Sequence, residues 1–284
     1  MKFYYFGGAI SMDASNIDDL EESHCDGVLF TYRQLQGDFF TFVARTMKLD
    51  QKIKYMIAIR PHALSAQYLT MINKSINDIQ PNRLQINIIA GHIKPDEVDF
   101  GGILGSVTDK SSIPERVDYM IDYIKELDNM RKNNKDIPDC YVTCTNIYAL
   151  EAAAELGYKI IFPYREYIDG YFLDRSVFGQ TKPGEKFDLS NKKIMLAVSP
   201  IIRETQEEID KEFPKNILVH TWDGGEYLDR PRFAKDTEYF TYNQFVDFIK
   251  DLELKGIHEV LFNEYPESER NNLIKYIKRY VEKK

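Results

Sequence analysis

The chain has no apolar run approaching the ~20 residues that a membrane-spanning helix needs. Its first residues, MKFYYFGGAISMD, lack the long apolar core of a signal peptide, so the expected location is the cytoplasm. Cysteine is scarce: Cys25, Cys140 and Cys144 are odd in number and lack metal-site spacing, which argues against a disulfide framework. The balance of charge is −8, which argues against a nucleic-acid surface. The five histidines are scattered, without the i, i+4 pair of a zinc helix, and no metal constellation is expected. There is no G-x-S-x-G elbow, no Walker loop, and no G-x-G-x-x-G after the first strand. Internal repeats, linkers and low-complexity tracts are also absent, so the simplest expectation is one domain over residues 1–284.

What is present is an alternation. Apolar β-like runs fall at 3–7, 27–32, 54–60, 84–90, 140–145, 159–163, 194–199 and 259–263. Helical patterns fall between or after them at 39–48, 66–79, 112–133, 147–156, 205–213, 243–255 and 267–282. Strand alternating with helix predicts a parallel sheet. Eight such strands in this length predict an α/β fold, a single (β/α)₈ TIM barrel. The stretches 165–192 and 222–241 break the alternation and are expected to be irregular insertions, candidate lids over a site.

The segment 54–92 carries the strongest local signal. Two nearly continuous apolar strands, ending in Arg60-Pro61 and Asn87-Ile88-Ile89-Ala90-Gly91, flank a helix and a turn at Asn82-Arg83. Polar residues gather past the strands' C-terminal ends, where β/α barrels place their sites. Further on come Pro114-Glu115-Arg116 at a helix start, the run VTCTNIYALEAAAELG from Val142, and a strand ending in Arg203-Glu204-Thr205.

These four pieces, in this order, resemble the bacterial luciferase-like flavin monooxygenases, especially their alkanesulfonate monooxygenase branch. The resemblance covers most of the chain and is weakest over the two irregular stretches. It implies an FMN site at the C-terminal mouth of the barrel, with reduced flavin supplied by a separate flavin reductase. Some relatives use the deazaflavin F420 for hydride transfer, and relatives commonly form homo-oligomers.

Each candidate residue has a reading of its own. Thr145 and Asn146 stand at a strand-to-helix junction, where a hydroxyl, an amide and the helix N-terminus can hold a phosphate; an ordinary N-cap accounts for the same residues. Asn87 interrupts an apolar strand and must find hydrogen bonds if buried. By the resemblance it meets the polar edge of the flavin, and Asp96 corresponds to an acidic flavin contact in some relatives. Arg116 matches a family Arg beside the flavin, and a cation in a helix's first turn opposes the helix dipole. Thr31 and Tyr32 end the second strand and would line the same mouth. Arg60 could hold an anion, and His62 or His92 could move a proton near neutrality.

Two departures bear on the substrate. The branch's Cys beyond the second strand is absent, and its Arg and His on the late strand are Ala197 and Ser199 here. The expectation is therefore a two-component FMN monooxygenase acting with oxygen on a small organic molecule other than an alkanesulfonate. The alternatives are F420-dependent hydride transfer and a flavin-binding protein without catalysis.

Overall fold

The computed structural model describes residues 1–284 apart from 7–13, 23, 32–37, 48–51, 91–112, 135, 145–146, 173–183, 185, 213–219, 224–225, 230–236 and 263–266. The strands are β1 (Lys2–Phe6), β2 (Gly27–Thr31), β3 (Lys54–Ile59), β4 (Leu84–Ile88), β5 (Asp139–Thr143), β6 (Lys159–Pro163), β7 (Ile194–Arg203), β8 (His220–Asp223), β9 (Glu226–Asp229), β10 (Thr237–Thr241) and β11 (Glu259–Phe262). The helices are α1 (Ala14–Glu22), α2 (Phe39–Thr46), α3 (Ala66–Ile79), α4 (Ile113–Arg131), α5 (Ile147–Glu155), α6 (Tyr164–Asp169), α7 (Gln206–Glu212), α8 (Tyr242–Leu254) and α9 (Glu267–Glu282).

Eight parallel strands run in the order β7-β11-β1-β2-β3-β4-β5-β6, and β6 pairs back to β7. The sheet is thus the closed barrel of a (β/α)₈ fold, built from the eight strands the apolar runs predict. The seven expected helices are also present, and α1 and α6 are additional. The stretch expected to be irregular at 222–241 contains more order than its composition suggests. There β8 and β9 form an antiparallel hairpin, and β10 pairs in parallel with Ser199–Arg203 of β7. Gly224-Gly225 between two short runs was a legible hairpin signal.

Two compact units divide the chain. The first comprises Met1–Gly27, Pro163–Arg165 and Met195–Lys284. In it, Phe3 of β1 stacks on Phe262 of β11 and meets Tyr280 of α9 edge-on, an aromatic seam between strand and helix. The N-terminus of α8 is set by a reciprocal capping box between Thr241 and Gln244.

The second unit comprises Val28–Phe162 and Glu166–Ile194. Its strands β3 and β4 are buried along almost their whole length, as parallel strands covered on both faces must be. On the helix side, Phe30 packs on Phe39 and Phe42 of α2, and Phe162 on Phe172 and Phe187. Helix α3 starts where the Ser65 hydroxyl accepts from Tyr68 N–H at 3.2 Å. Helix α5 stops at Gly157, whose φ of +71° is open to glycine at little cost, and the chain turns there into β6.

Candidate functional site

Every described residue among the predicted site residues falls in the second unit, and the pleat of its strands decides which side chains can share a site. Cys140 of β5 lies beside Tyr123 of α4 and Tyr158, on the helix side. Tyr141 and Thr143 alternate with it and therefore face inward. Register pairs Asn87 of β4 with Ala58 of β3 and with Tyr141 of β5, so Ala58, Gln85 and Asn87 share that inward face.

The inward face is polar at both ends for different reasons. At the N-terminal ends of the strands, Lys159 donates to the Tyr141 hydroxyl at 3.0 Å and pairs with Asp139 at 3.4 Å, and the Gln85 amide donates to Asp139 at 3.3 Å. This cluster sits at the stability face of a barrel. At the C-terminal ends, Thr143 Oγ1 donates to Asn87 Oδ1 at 2.9 Å. Asn87 is 3% exposed, and no other side-chain hydrogen bond of it occurs among the described residues. Its register partner on β3 is the small Ala58.

The other predicted residues divide by what is described. Thr31 ends β2, and Arg60 follows β3, half-buried, at the head of a 3₁₀ turn, Pro61–Ala63. His62 lies in that turn and Arg116 in the first turn of α4, while the side chains of Thr31, His62 and Arg116 lie outside the description. Tyr32, His92, Asp96, Thr145 and Asn146 lie outside the described residues. By backbone position, Thr31, Arg60 and Asn87 stand at, just past or near the C-terminal ends of three strands that are consecutive in the sheet.

Two pieces of the family pattern prove to be structural. Arg83 donates from Nε to the Ile53 carbonyl at 2.7 Å and lies over the Tyr55 ring, tying the N-terminal ends of β3 and β4. In the first unit, Arg203 forms two parallel hydrogen bonds with Glu269 at 2.6 and 2.9 Å and two with Glu212 at 2.6 and 2.8 Å. Thr205 and Glu208 cap the start of α7 reciprocally. Arg203 ends β7 and holds α7 and α9 through two carboxylates.

Two groups at or just past the C-terminal ends were not singled out from sequence. Thr143 is one; its partner is 56 residues away. Glu166, a fully buried carboxylate three residues beyond the end of β6, is the other, and only its place in an otherwise polar helix hid it. Full burial holds the Cys144 thiol well above its ordinary range, which disfavours the thiolate. Among the described residues no group of His, Cys, Asp and Glu could hold a metal ion, and no helix is long and apolar enough to cross a membrane.

The donor set fits a heteroaromatic ring carrying acceptors on one edge. An amide NH₂ on this face can donate to a flavin's carbonyls and ring nitrogens, which are acceptors. The phosphate half of the fit rests on residues outside the description.

No protein-family model and no curated protein matches the sequence. Solved structures do match in fold. EDTA monooxygenase from Chelativorans sp. BNC1 superposes with a TM-score of 0.67 at 7% identity, covering 100% of this chain and 94% of that one. A riboflavin lyase with modified FMN and the substrate riboflavin gives 0.66 at 9% identity, covering 100% and 91%. The coenzyme F420-dependent tetrahydromethanopterin reductase from Methanopyrus kandleri gives 0.61 at 11% identity, covering 98% and 97%. These structural neighbours are luciferase-like monooxygenases and F420-dependent enzymes, the group that the sequence motifs resemble. At these identities the likeness is one of fold.

Proposed function

We propose that this chain is a flavin-dependent oxidoreductase, a two-component FMN monooxygenase that takes reduced flavin from a separate reductase and acts with oxygen on a small organic substrate. The observation that carries this reading is the buried Asn87 side chain, joined to Thr143 on the inward face near the C-terminal end of β4. The neighbours' fold and the four ordered motifs support it.

In this reading one domain over 1–284 binds the cofactor at the strand ends. Asn87 donates to the ring edge, and Thr145 and Asn146 hold the phosphate at the start of α5. Thr31, Tyr32, Asp96 and Arg116 complete the cofactor contacts. Arg60 supplies positive charge where an anion forms or binds, and His62 or His92 holds or delivers the proton. When bound, the reduced cofactor supplies the electrons that activate oxygen. The protein acts in the cytoplasm as a homo-oligomer. The outer face of α3 supports that assembly: Tyr68, Met71 and Ile79 are exposed there, and the helix's own charges, Lys74 and Asp78, pair with each other.

F420-dependent hydride transfer is the second reading, favoured by the fold neighbour from Methanopyrus kandleri. A third is binding without catalysis, motivated by Ala197 and Ser199 at the positions of the family's Arg and His. Titrating the purified protein with oxidised FMN, reduced FMN and F420 tests all three. Saturable FMN binding, with substrate-linked oxygen consumption once a reductase is added, is the expected result. Tighter binding of F420 moves the assignment to hydride transfer, and binding without turnover to the third reading. Binding of neither cofactor overturns the proposal.

A further inference from the structure

We infer that β1, β11 and β7 carry a substrate wall on which Ala197 leaves a hollow for a hydrocarbon part of the substrate; the inference rests on the flavin reading above. All three strands belong to the first unit, and its aromatic seam fixes which way they face. Phe3 and Phe262 lie on the helix side, against Tyr280 of α9 and Phe245 of α8. Tyr4 and Leu261 alternate with them and therefore face inward. Register pairs Tyr4 with Leu261 and Leu261 with Ala197, so these three make one inward tier. Phe6 and Ser199, two residues further along their strands, stand above that tier toward the C-terminal ends, where a barrel of this kind places its site.

Burial along β7 marks the hollow. Leu196 and Val198 are fully buried on the helix side, yet Ala197 between them is half-buried, so solvent reaches it from the inward side. Tyr4 and Leu261 in the same tier are buried and form the floor beside it, while Phe6 and Ser199 above are half-buried. A methyl group in a row of larger side chains is what leaves the space. Among the described residues of these strands the charges are engaged elsewhere. Lys2 and Glu259 pair at 3.5 Å at the N-terminal ends, and Arg203, at the far end of β7, is held by Glu212 and Glu269. A charged group brought against such a wall would lose hydration without gaining a partner, whereas a carbon chain or ring is stabilised by leaving water.

The test uses 1-hexanol, 1-octanol and cyclohexanol as probes, titrated by calorimetry against the full chain and its Ala197→Val and Ala197→Leu variants. Oxidised FMN is titrated in parallel, and each variant has a melting curve. The natural chain should bind at least one of the alcohols saturably. Ala197→Leu, whose extra carbons fill the hollow, should weaken that binding about tenfold or more, and Ala197→Val by less. FMN affinity should stay within about twofold, since a hollow on the substrate side leaves the cofactor contacts in place. The melting temperature should hold, because leucine enters open space; at a packed alanine it would overpack the barrel and destabilise it.

With FMN bound by the natural chain, three results overturn the wall and leave the flavin reading standing. These are no alcohol binding, alcohol binding that both variants retain in full, and Ala197→Val and Ala197→Leu variants that melt well below the natural chain or fail to fold. Parallel loss of FMN and alcohol in Ala197→Leu also overturns it, because the hollow then belongs to the cofactor. If the natural chain binds neither FMN nor F420, the flavin reading fails, and the substrate role of the wall falls with it even where alcohol binding responds to Ala197→Leu.

Discussion

Thr143 and Asn87 lie 56 residues apart in the chain and 2.9 Å apart in space, joined hydroxyl to amide oxygen near the C-terminal ends of two neighbouring strands. That bond joins a residue the sequence marks to one it does not. Both side chains lie on the inward face of their strands.

Replacing Asn87 should weaken cofactor binding without unfolding the protein. Asn87→Ala removes the donor pair from the ring edge, and FMN affinity should drop about tenfold, the worth of one good hydrogen bond to a buried ligand. Fluorescence titration checks it, and an unchanged affinity removes Asn87 from the site.

Arg203 should matter for stability and not for binding. Both it and Glu269 are largely buried, and removing one partner strands the other charge. Arg203→Ala should cost about 3–5 kcal/mol in urea unfolding. Lysine should not rescue it, because a single ammonium cannot form the parallel pair of bonds the guanidinium makes with Glu269. Cofactor affinity in the folded fraction should be unchanged.

The same network predicts an acid limb. Hydrogen bonds from Arg203 hold the Glu212 carboxyl below its ordinary range, partly opposed by burial. A carboxyl whose pKa is lower in the folded state contributes stability above its unfolded value of about 4.3 and loses it as pH falls through the folded value. Glu212→Gln should therefore lower stability at neutral pH and flatten its decline below about pH 4.3. Parallel stability curves for variant and parent across that range would contradict this.

The cysteines should be silent in the native state. All three are buried, and burial raises the Cys140 thiol to about 12 and Cys144 higher still. Ellman's reagent at pH 8 should label none before unfolding and all three after it. Rapid labelling of the native protein would mean that one of them is reachable and ionised.

Oligomeric state gives a further check. If the exposed face of α3 is a subunit contact, Met71→Lys, at a position 64% exposed, should shift sedimentation toward the monomer without lowering the melting temperature of the monomeric species. An assembly that ignores the charge places the contact elsewhere.

The barrel was legible because its cause is local. Strands buried on both faces must be apolar throughout, and helices facing them must carry a stripe, so alternation and spacing reveal both. Asn87 was visible for the same reason, as a polar residue in an apolar strand. The hairpin of β8 and β9 was hidden in a polar, aromatic stretch, although its two glycines gave the turn away. Arg203 carried the family's spacing, yet its partners at Glu212 and Glu269 lie 9 and 66 residues on, and no local pattern joins them.

The sequence by itself determined the order of strands and helices, the closed parallel sheet they imply, and the ends at which polar residues collect. These follow from periodicity and burial, which act over a few residues at a time. Only the tertiary structure decided what the polar residues do. It separated the Lys159–Asp139–Gln85 cluster from the Asn87–Thr143 pair on one inward face, and it made Arg203 a clamp. A hydrogen bond's direction depends on which group the fold brings within about 3 Å, and that distance is set by strand register and barrel closure across the whole chain.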